Sequence, residues 1–278
     1  MSGPAHNPVS PPALVLAGPP GVGKTTVALN ASFALARRGW RTLVVDTDPA
    51  GAVGLSLTRR MAEAPGLAEY VGRTRALRDV MVQTKLRELS ILPVGRVQVE
   101  DAMGFQNLLA DGAVLGRFLA ELQDRFDLVV FDTPSGFSGS TLGAMRVSRH
   151  VICPVQAEPI AARSAVRILE VIGAMRERGA HVGLLGFLVT MLQNGDASSM
   201  AVAEDLWRSL PKELILDTTV PRDGAFLEAS AAGVPVGLLR RRAPPAALIF
   251  DQLAAELEAR AGLTASREGQ DEPIALVD

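Results

Sequence analysis

At 278 residues and 48% hydrophobic content, the chain fits one large α/β domain or two small ones and is too apolar for a disordered protein. A formal net charge of -2 excludes a general attraction to nucleic acid, so any basic site must be local. The single cysteine, Cys153, excludes an intramolecular disulfide and a multi-cysteine zinc site within one chain.

Residues 1–12 are rich in Pro, Ser and Gly and read as a flexible lead-in without the basic and apolar regions of a signal peptide. No apolar run reaches bilayer length, which sets the expectation of a cytoplasmic protein without a membrane anchor. Only 4% of residues are aromatic, so a core must come mainly from Ala, Val, Leu and Ile. Short apolar runs then follow in order: 13–17, 42–46, 89–94, 127–132, 150–155, 184–190 and, less regularly, 214–220. Runs without alternation suit strands buried on both faces of a parallel sheet. Helical stretches at 24–38 (closed by Gly39), 115–123, 160–178, 198–210 and 246–261 lie between or after them. The alternation predicts an α/β domain over residues 13–263, with a mostly parallel sheet and helices on both faces. Residues 58–87 give no clear pattern beyond short helices, and residues 264–278 read as an acidic tail.

Between the first strand and the first helix stands Gly18-Pro19-Pro20-Gly21-Val22-Gly23-Lys24-Thr25, which satisfies the P-loop pattern G-x-x-x-x-G-K-[ST]. Gly21 and Gly23 let successive N–H groups turn toward phosphate oxygens, and the helix N-terminus adds its positive end. Lys24 is placed to neutralise β/γ-phosphate charge, and Thr25 offers a hydroxyl to Mg²⁺. Residues Pro20 to Thr26 are therefore the nucleotide cradle, with Pro19 and Pro20 stiffening its entry. A Gly/Pro-rich turn can match this pattern by chance; the buried strand before it and the capped helix after it favour the cradle.

Hydrolysis needs carboxylates to support the metal and position water. Two strand ends supply them: VVDTDPAG, with Asp46 and Asp48, and VVFDTPSG, with Asp132. In an open parallel sheet, ligands sit at the carboxyl ends of the strands, where the P-loop also lies. Asp132, with Asp46, is the metal-side candidate, and Asp48 the candidate for orienting the attacking water. Any one of these aspartates alone would more simply cap its own turn; three beside a P-loop favour the site.

Taken in order, these segments resemble the ParA/MinD family of P-loop ATPases over roughly residues 13–260. The carriers are GPPGVGKTT, VVDTDPAGAVGLSL, FDLVVFDTPSG, HVICPVQAEPIAARS, LGFLVTMLQNGD and TTVPRDGAFLEASAAGVPV. The resemblance implies ATP and Mg²⁺ as ligands and an adenine site formed by Thr190, Pro221, Arg222 and Asp223. It also implies an ATP-dependent homodimer, stimulation by a ParB-like or cargo-adaptor protein, and non-specific DNA as track. The chain departs from the family at Pro19, where a signature lysine usually stands; lysine occurs only at positions 24, 85 and 212. A cation acting across a dimer must then be Lys85, Lys212 or an arginine.

AAA+ ATPases share the GPPGxGKT loop but use an Asp-Glu pair where this chain has Asp132-Thr133. Ras-type GTPases need an NKxD motif that is missing here. The acidic end differs from the basic membrane helix of MinD. Two classes remain: a positioning ATPase on DNA, and a P-loop enzyme of the dethiobiotin synthetase type acting on a small acid. Arg240, Arg241 and Arg242 are the DNA-contact candidates for the first, with Arg208, Lys212 and Arg222 as possible additions. The alternative for the triplet is a solvated turn before Pro244.

Overall fold

The computed structural model describes residues 10–137, 139–158, 161–193 and 195–263. Most of the lead-in and all of the acidic tail lie outside them.

The order of elements is β1 Ala13–Leu16, α1 Lys24–Arg37, β2 Thr42–Asp46, α2 Ala52–Leu55, α3 Arg59–Ala62, α4 Leu67–Val71, α5 Leu77–Val80, β3 Val82–Gln83 and β4 Leu89–Leu92. Then come α6 Ala102–Leu109, α7 Ala113–Glu121, β5 Leu128–Asp132, α8 Ser140–Val147, β6 His150–Gln156, α9 Ala161–Glu177 and β7 Gly183–Leu192. The chain closes with α10 Ala197–Ser209, β8 Val220–Pro221, α11 Gly224–Ala232 and α12 Pro245–Ala261. The eight strands pair in the order β3-β4-β2-β5-β1-β6-β7-β8, and all pairs are parallel except β3 with β4.

Successive strand residues face opposite sides, so each strand feeds two cores. Val15, Val45, Val129, Phe131 and Val189 pack with helices α4 to α10. Leu14, Leu16, Val130 and Leu188 pack with α1, α11 and α12 on the other side. Val44 and Ile91 join α2 and α3 on that same face through Val53, Leu57 and Met61. Burial on both faces explains why the central strands read as unbroken apolar runs.

One expectation needs correction, and the structure fills in what the sequence left open. The strand expected over 214–220 shrinks to Val220–Pro221, preceded by one bridge from Ile215 to Phe187. Side chains of α12 take the backbone between: Glu256 accepts from the N–H groups of Asp217 and Thr218, and Arg260 donates to the carbonyls of Glu213 and Ile215. Those groups cannot also join a ladder with β7. The unclear stretch 58–87 holds three helices of four or five residues and the edge strand β3. Helices α6, α8 and α11 were not anticipated. In α8, Gly143 lowers helix propensity, yet a Cβ there would lie 1.9 Å from the carbonyl oxygen of Leu109. Glycine is what lets α8 approach α6.

Candidate nucleotide site

β1, β2 and β5 lie side by side, and their ends are in register: Leu16 and Asp46 both pair with Asp132. The three exits are then tied together. Thr47 donates from its N–H and its hydroxyl to the carbonyl of Asp132, at 3.0 and 2.8 Å. Thr133 donates to the carbonyl of Leu16 at 2.6 Å, Ser140 to that of Thr47 at 2.9 Å, and Gly136 N–H to Gly18 at 3.1 Å. Short polar residues hold the P-loop, the Asp46–Asp48 segment and the Asp132–Gly136 segment as one rigid floor.

Within the P-loop, Gly21 and Gly23 have φ of 77° and 85°. Side chains disfavour this left-handed region, and it turns consecutive N–H groups into one concavity. Lys24 opens α1 and is buried, with Nζ donating to Pro19 O at 2.8 Å, Gly18 O at 3.3 Å and Ser135 Oγ at 3.2 Å. Burial lowers its pKa, against the attraction of Asp132, Asp48 and Cys153. Thr25 donates to Asp132 Oδ2 at 2.6 Å. Thr25 thus bonds the carboxylate at the end of β5, and Lys24 the segment that follows it.

The three aspartates differ. Asp132 is fully buried, and its Oδ1 has no hydrogen-bond partner among the described residues. Burial pushes its pKa up to about 7, despite the Thr25 hydrogen bond and the charge of Lys24. A buried carboxylate with one oxygen unpartnered, beside a threonine hydroxyl, suits a hard cation or its water shell. Asp46 is also fully buried, and its pKa is raised first by that burial and then by Asp132. Its oxygens accept from the N–H groups of Asp48 and Val53, both at 3.0 Å, which fastens the β2 exit to α2. Asp48 accepts from Ala50 N–H at 2.9 Å, the turn-capping role any such Asp takes. Its charge also acts on both Lys24 and Asp132, so it borders the cradle.

Beside the P-loop, β7 and β8 leave a cavity of about 420 Å³ lined by Val22, Gly23, Thr26, Thr190, Pro221, Arg222, Asp223 and others. Thr190 donates to the carbonyl of Val22 at 3.0 Å and so fixes this wall to the P-loop. Asp223 caps α11 through Ala225 N–H, and Arg222 reaches the sulfur of Met191 at 3.8 Å. Met191 itself was not anticipated; its φ of 55° is unusual for a non-glycine residue. Cys153 is buried, its thiol pKa pushed up to about 12, which makes it inert packing beside the loop.

The three arginines expected to touch DNA do not line this cradle. Arg240 pairs with Glu228 at 2.6 Å, and Arg241 and Arg242 are exposed in a bend. A cavity of about 840 Å³ lies at the β3 edge among Arg59, Arg60, Gln83, Lys85 and Arg96 and contains none of the cradle residues.

Comparison with known proteins fits this geometry. The family described as an AAA domain matches residues 18–182, more than half of the chain. A chromosome-partitioning ATPase, Soj of Thermus thermophilus, is 32% identical over 249 residues, covering 86% of this chain and 92% of that protein. This chain belongs to the ParA/Soj family of P-loop ATPases. The AAA description covers the P-loop half; several relatives aligned along most of the chain are described as chromosome-partitioning proteins. Among solved structures, the ATP complex of Cyanothece McdA superposes with a TM-score of 0.75 at 19% identity, covering 93% of this chain and 99% of that one, a likeness of fold. A structure described as cobyrinic acid a,c-diamide synthase of Mycobacterium smegmatis, with bound ATP analogue and magnesium, gives 0.74 at 26% identity and covers 94% and 98%. No helix among the described residues is long and apolar enough to cross a membrane.

Proposed function

We propose that this ParA/Soj-family member binds ATP with Mg²⁺, hydrolyses it slowly, and cycles between monomer and dimer to position or segregate a cellular cargo on non-specific DNA. The observation that carries the reading is the meeting of Lys24, Thr25 and Asp132 at one strand end, with Asp48 at its border.

On binding, Lys24 exchanges the Gly18 and Pro19 carbonyls for β/γ-phosphate oxygens, while the N–H groups from Gly21 to Thr26 hold the remaining phosphate charge. Thr25, Asp132 and Asp46 would hold Mg²⁺, which supplies neutralisation of the β- and γ-phosphate oxygens when bound. Asp48 orients the attacking water toward the γ-phosphate. Thr190, Pro221, Arg222 and Asp223 receive the base. Because Asp46 ties β2 to α2, movement of the Asp48 turn is transmitted to the α2–α3 surface, a route by which the nucleotide state reaches a partner.

The cargo partner is a ParB-like or adaptor protein, and the track is duplex DNA contacted by Arg240, Arg241 and Arg242. Phosphate contacts of this kind give binding without base preference. The test is duplex-DNA binding by the Asp48→Ala variant with ATP, with ADP and without nucleotide, at several salt concentrations. Expected is ATP-enhanced binding that weakens steeply with salt, with a log–log slope of roughly -0.9 per phosphate contact. No binding at low salt with ATP would end the DNA-track reading, and turnover only with a small acid would favour a metabolic enzyme.

A further inference from the structure

The chain carries a net charge of -2, yet the cavity of about 840 Å³ at the β3 edge is lined by an excess of cations. Arg59 and Arg60 come from α3, Lys85 from the β3–β4 turn and Arg96 from the segment after β4, against the one lining carboxylate, Glu63. Like charges gathered in one concavity repel, and an anion placed among them relieves that repulsion. Glu63 does so only in part. It pairs with Arg59 at 2.9 Å with both side chains exposed, which makes the pair weak and open to exchange. The guanidinium groups of Arg60 and Arg96 have no hydrogen bond or ion pair among the described residues. An unpartnered guanidinium fits phosphate and carboxylate oxygens two at a time.

The frame around these charges is fixed. Gln83 Nε2 donates to the carbonyls of Arg87 and Leu89 at 3.1 and 2.9 Å, and Thr84 Oγ1 to that of Leu89 at 2.8 Å, so the turn carrying Lys85 is held from within. Arg96 N–H donates to Glu69 Oε1 at 3.1 Å, while Glu69 Oε2 accepts from Gly66 N–H at 2.7 Å. The backbone of Arg96 is therefore anchored and its guanidinium is not. Met61, Pro65 and Val82 add an apolar wall that suits an organic body. Duplex backbones are met by cations spread along a face, whereas these cations line one concavity of small-ligand size.

The cavity also adjoins the nucleotide machinery. Glu63 and Arg96 line a second cavity, of about 420 Å³, together with Pro49, Ala50 and Gly51 of the turn that follows Asp48. Helix α3 is packed tightly on α2, since a Cβ on Gly54 would lie 2.9 Å from the Cα of Ala62. α2 is in turn fastened to Asp46 through Val53 N–H.

We propose that the β3-edge cavity is a second anion site, taking a small organic molecule with two phosphate groups, and that its occupancy acts on the ATP cradle through α3, α2 and the Asp48 turn. Four cations against one carboxylate leave an excess of three positive charges, and two phosphate groups at about 1.5–2 negative charges each at pH 7 answer it. The coupling rests on the ATP cycle proposed above; the binding does not.

The experiment is calorimetry with fructose bisphosphate as probe, on wild-type protein whose cradle is filled by excess Mg²⁺-ADP, so that any heat comes from outside it. Fructose monophosphate, a short DNA duplex and a glutamate-rich peptide are the comparisons. Expected is salt-sensitive binding of the bisphosphate, at least about tenfold tighter than the monophosphate, and weakened by at least about tenfold in Arg60→Ala/Arg96→Ala. ATP affinity of that variant should stay within about twofold, because neither arginine lines the cradle, and Arg60→Lys/Arg96→Lys should recover part of the loss. Saturating bisphosphate should change ATP turnover of the wild type by at least about twofold and leave that of the double alanine variant unchanged. No binding of the bisphosphate at low salt, or equal binding by the double alanine variant, overturns the site. Binding of the duplex or the peptide that the double alanine variant loses, with none of the bisphosphate, overturns the small-molecule class. Binding without any effect on turnover overturns the coupling. If the wild-type protein neither binds nor hydrolyses ATP, the proposed function fails, and the binding measurement still decides the site.

Discussion

The two sides of the P-loop are built on opposite principles. On the inner side, Lys24, Thr25, Asp46 and Asp132 are buried or half-buried, and hydrogen bonds from Thr47, Thr133 and Ser140 fix the strand ends around them. On the outer side, Pro19 faces exposed arginines on α9 that have little to hold them. The inner side is pre-organised before any nucleotide arrives, so its charges need little reorganisation on binding. The outer side is suited to a contact made only in one state of the cycle. Binding should therefore depend on the inner groups, and the timing of hydrolysis on what reaches the rim.

That contrast can be broken at the inner side first. Lys24→Ala leaves no cation bonded to the loop among the described residues, so ATP affinity should fall by about 100-fold or more, a hydrogen-bonded charge partner being lost from a buried site. Calorimetry with Mg²⁺-ATP measures it, and near-normal affinity would remove Lys24 from the cradle. Asp48→Ala should keep affinity within a few-fold yet lower turnover by about 100-fold, since only water positioning is lost. Wild-type turnover in this variant would transfer the role elsewhere.

Smaller effects sharpen the comparison. Thr25→Val leaves both oxygens of Asp132 without a side-chain donor, and should destabilise the nucleotide-free protein by about 1–3 kcal/mol in denaturant titrations. The pH dependence has a definite sign. Asp132 is raised to about 7, and Asp46 in the same direction, so the folded protein binds more protons than the unfolded one above about pH 4. Stability of the nucleotide-free protein should then fall as pH rises from about 4 to 7, and Asp132→Asn should flatten part of that slope, with Asp46 carrying the rest. An unchanged slope would mean that Asp132 is ionised throughout. The smallest expected effect concerns the arginine triplet. Changing Arg240, Arg241 and Arg242 to Ala should weaken DNA binding and reduce its salt dependence while leaving ATP affinity within about twofold, because none of them lines the cradle.

How far these features could be read beforehand follows from where their partners lie. The P-loop was legible because its pattern fixes Gly18, Gly23, Lys24 and Thr25, and the positive φ at positions 21 and 23 favours glycine. The aspartates were legible as a group, since strand ends of a parallel sheet converge. Their division of labour was not. Asp46 is engaged by backbone N–H groups of Asp48 and Val53, which no side-chain pattern announces. Thr190 and the Pro221–Asp223 turn came only through family resemblance, because the β7–β8 wall closes on the loop in three dimensions. Helices α3, α4 and α5 are too short for a 3.6-residue period to show. The shortened β8 depended on Glu256 and Arg260, which lie about 40 residues further along the chain.

The central claim is that the cradle turns over ATP without any other substrate. Steady-state phosphate release by the wild-type chain with Mg²⁺ and ATP alone, beside Lys24→Ala and Asp48→Ala, tests it most directly. The account predicts slow turnover in the wild type that both substitutions abolish. Release that appears only when a small acid is added, or that survives both substitutions, would contradict it.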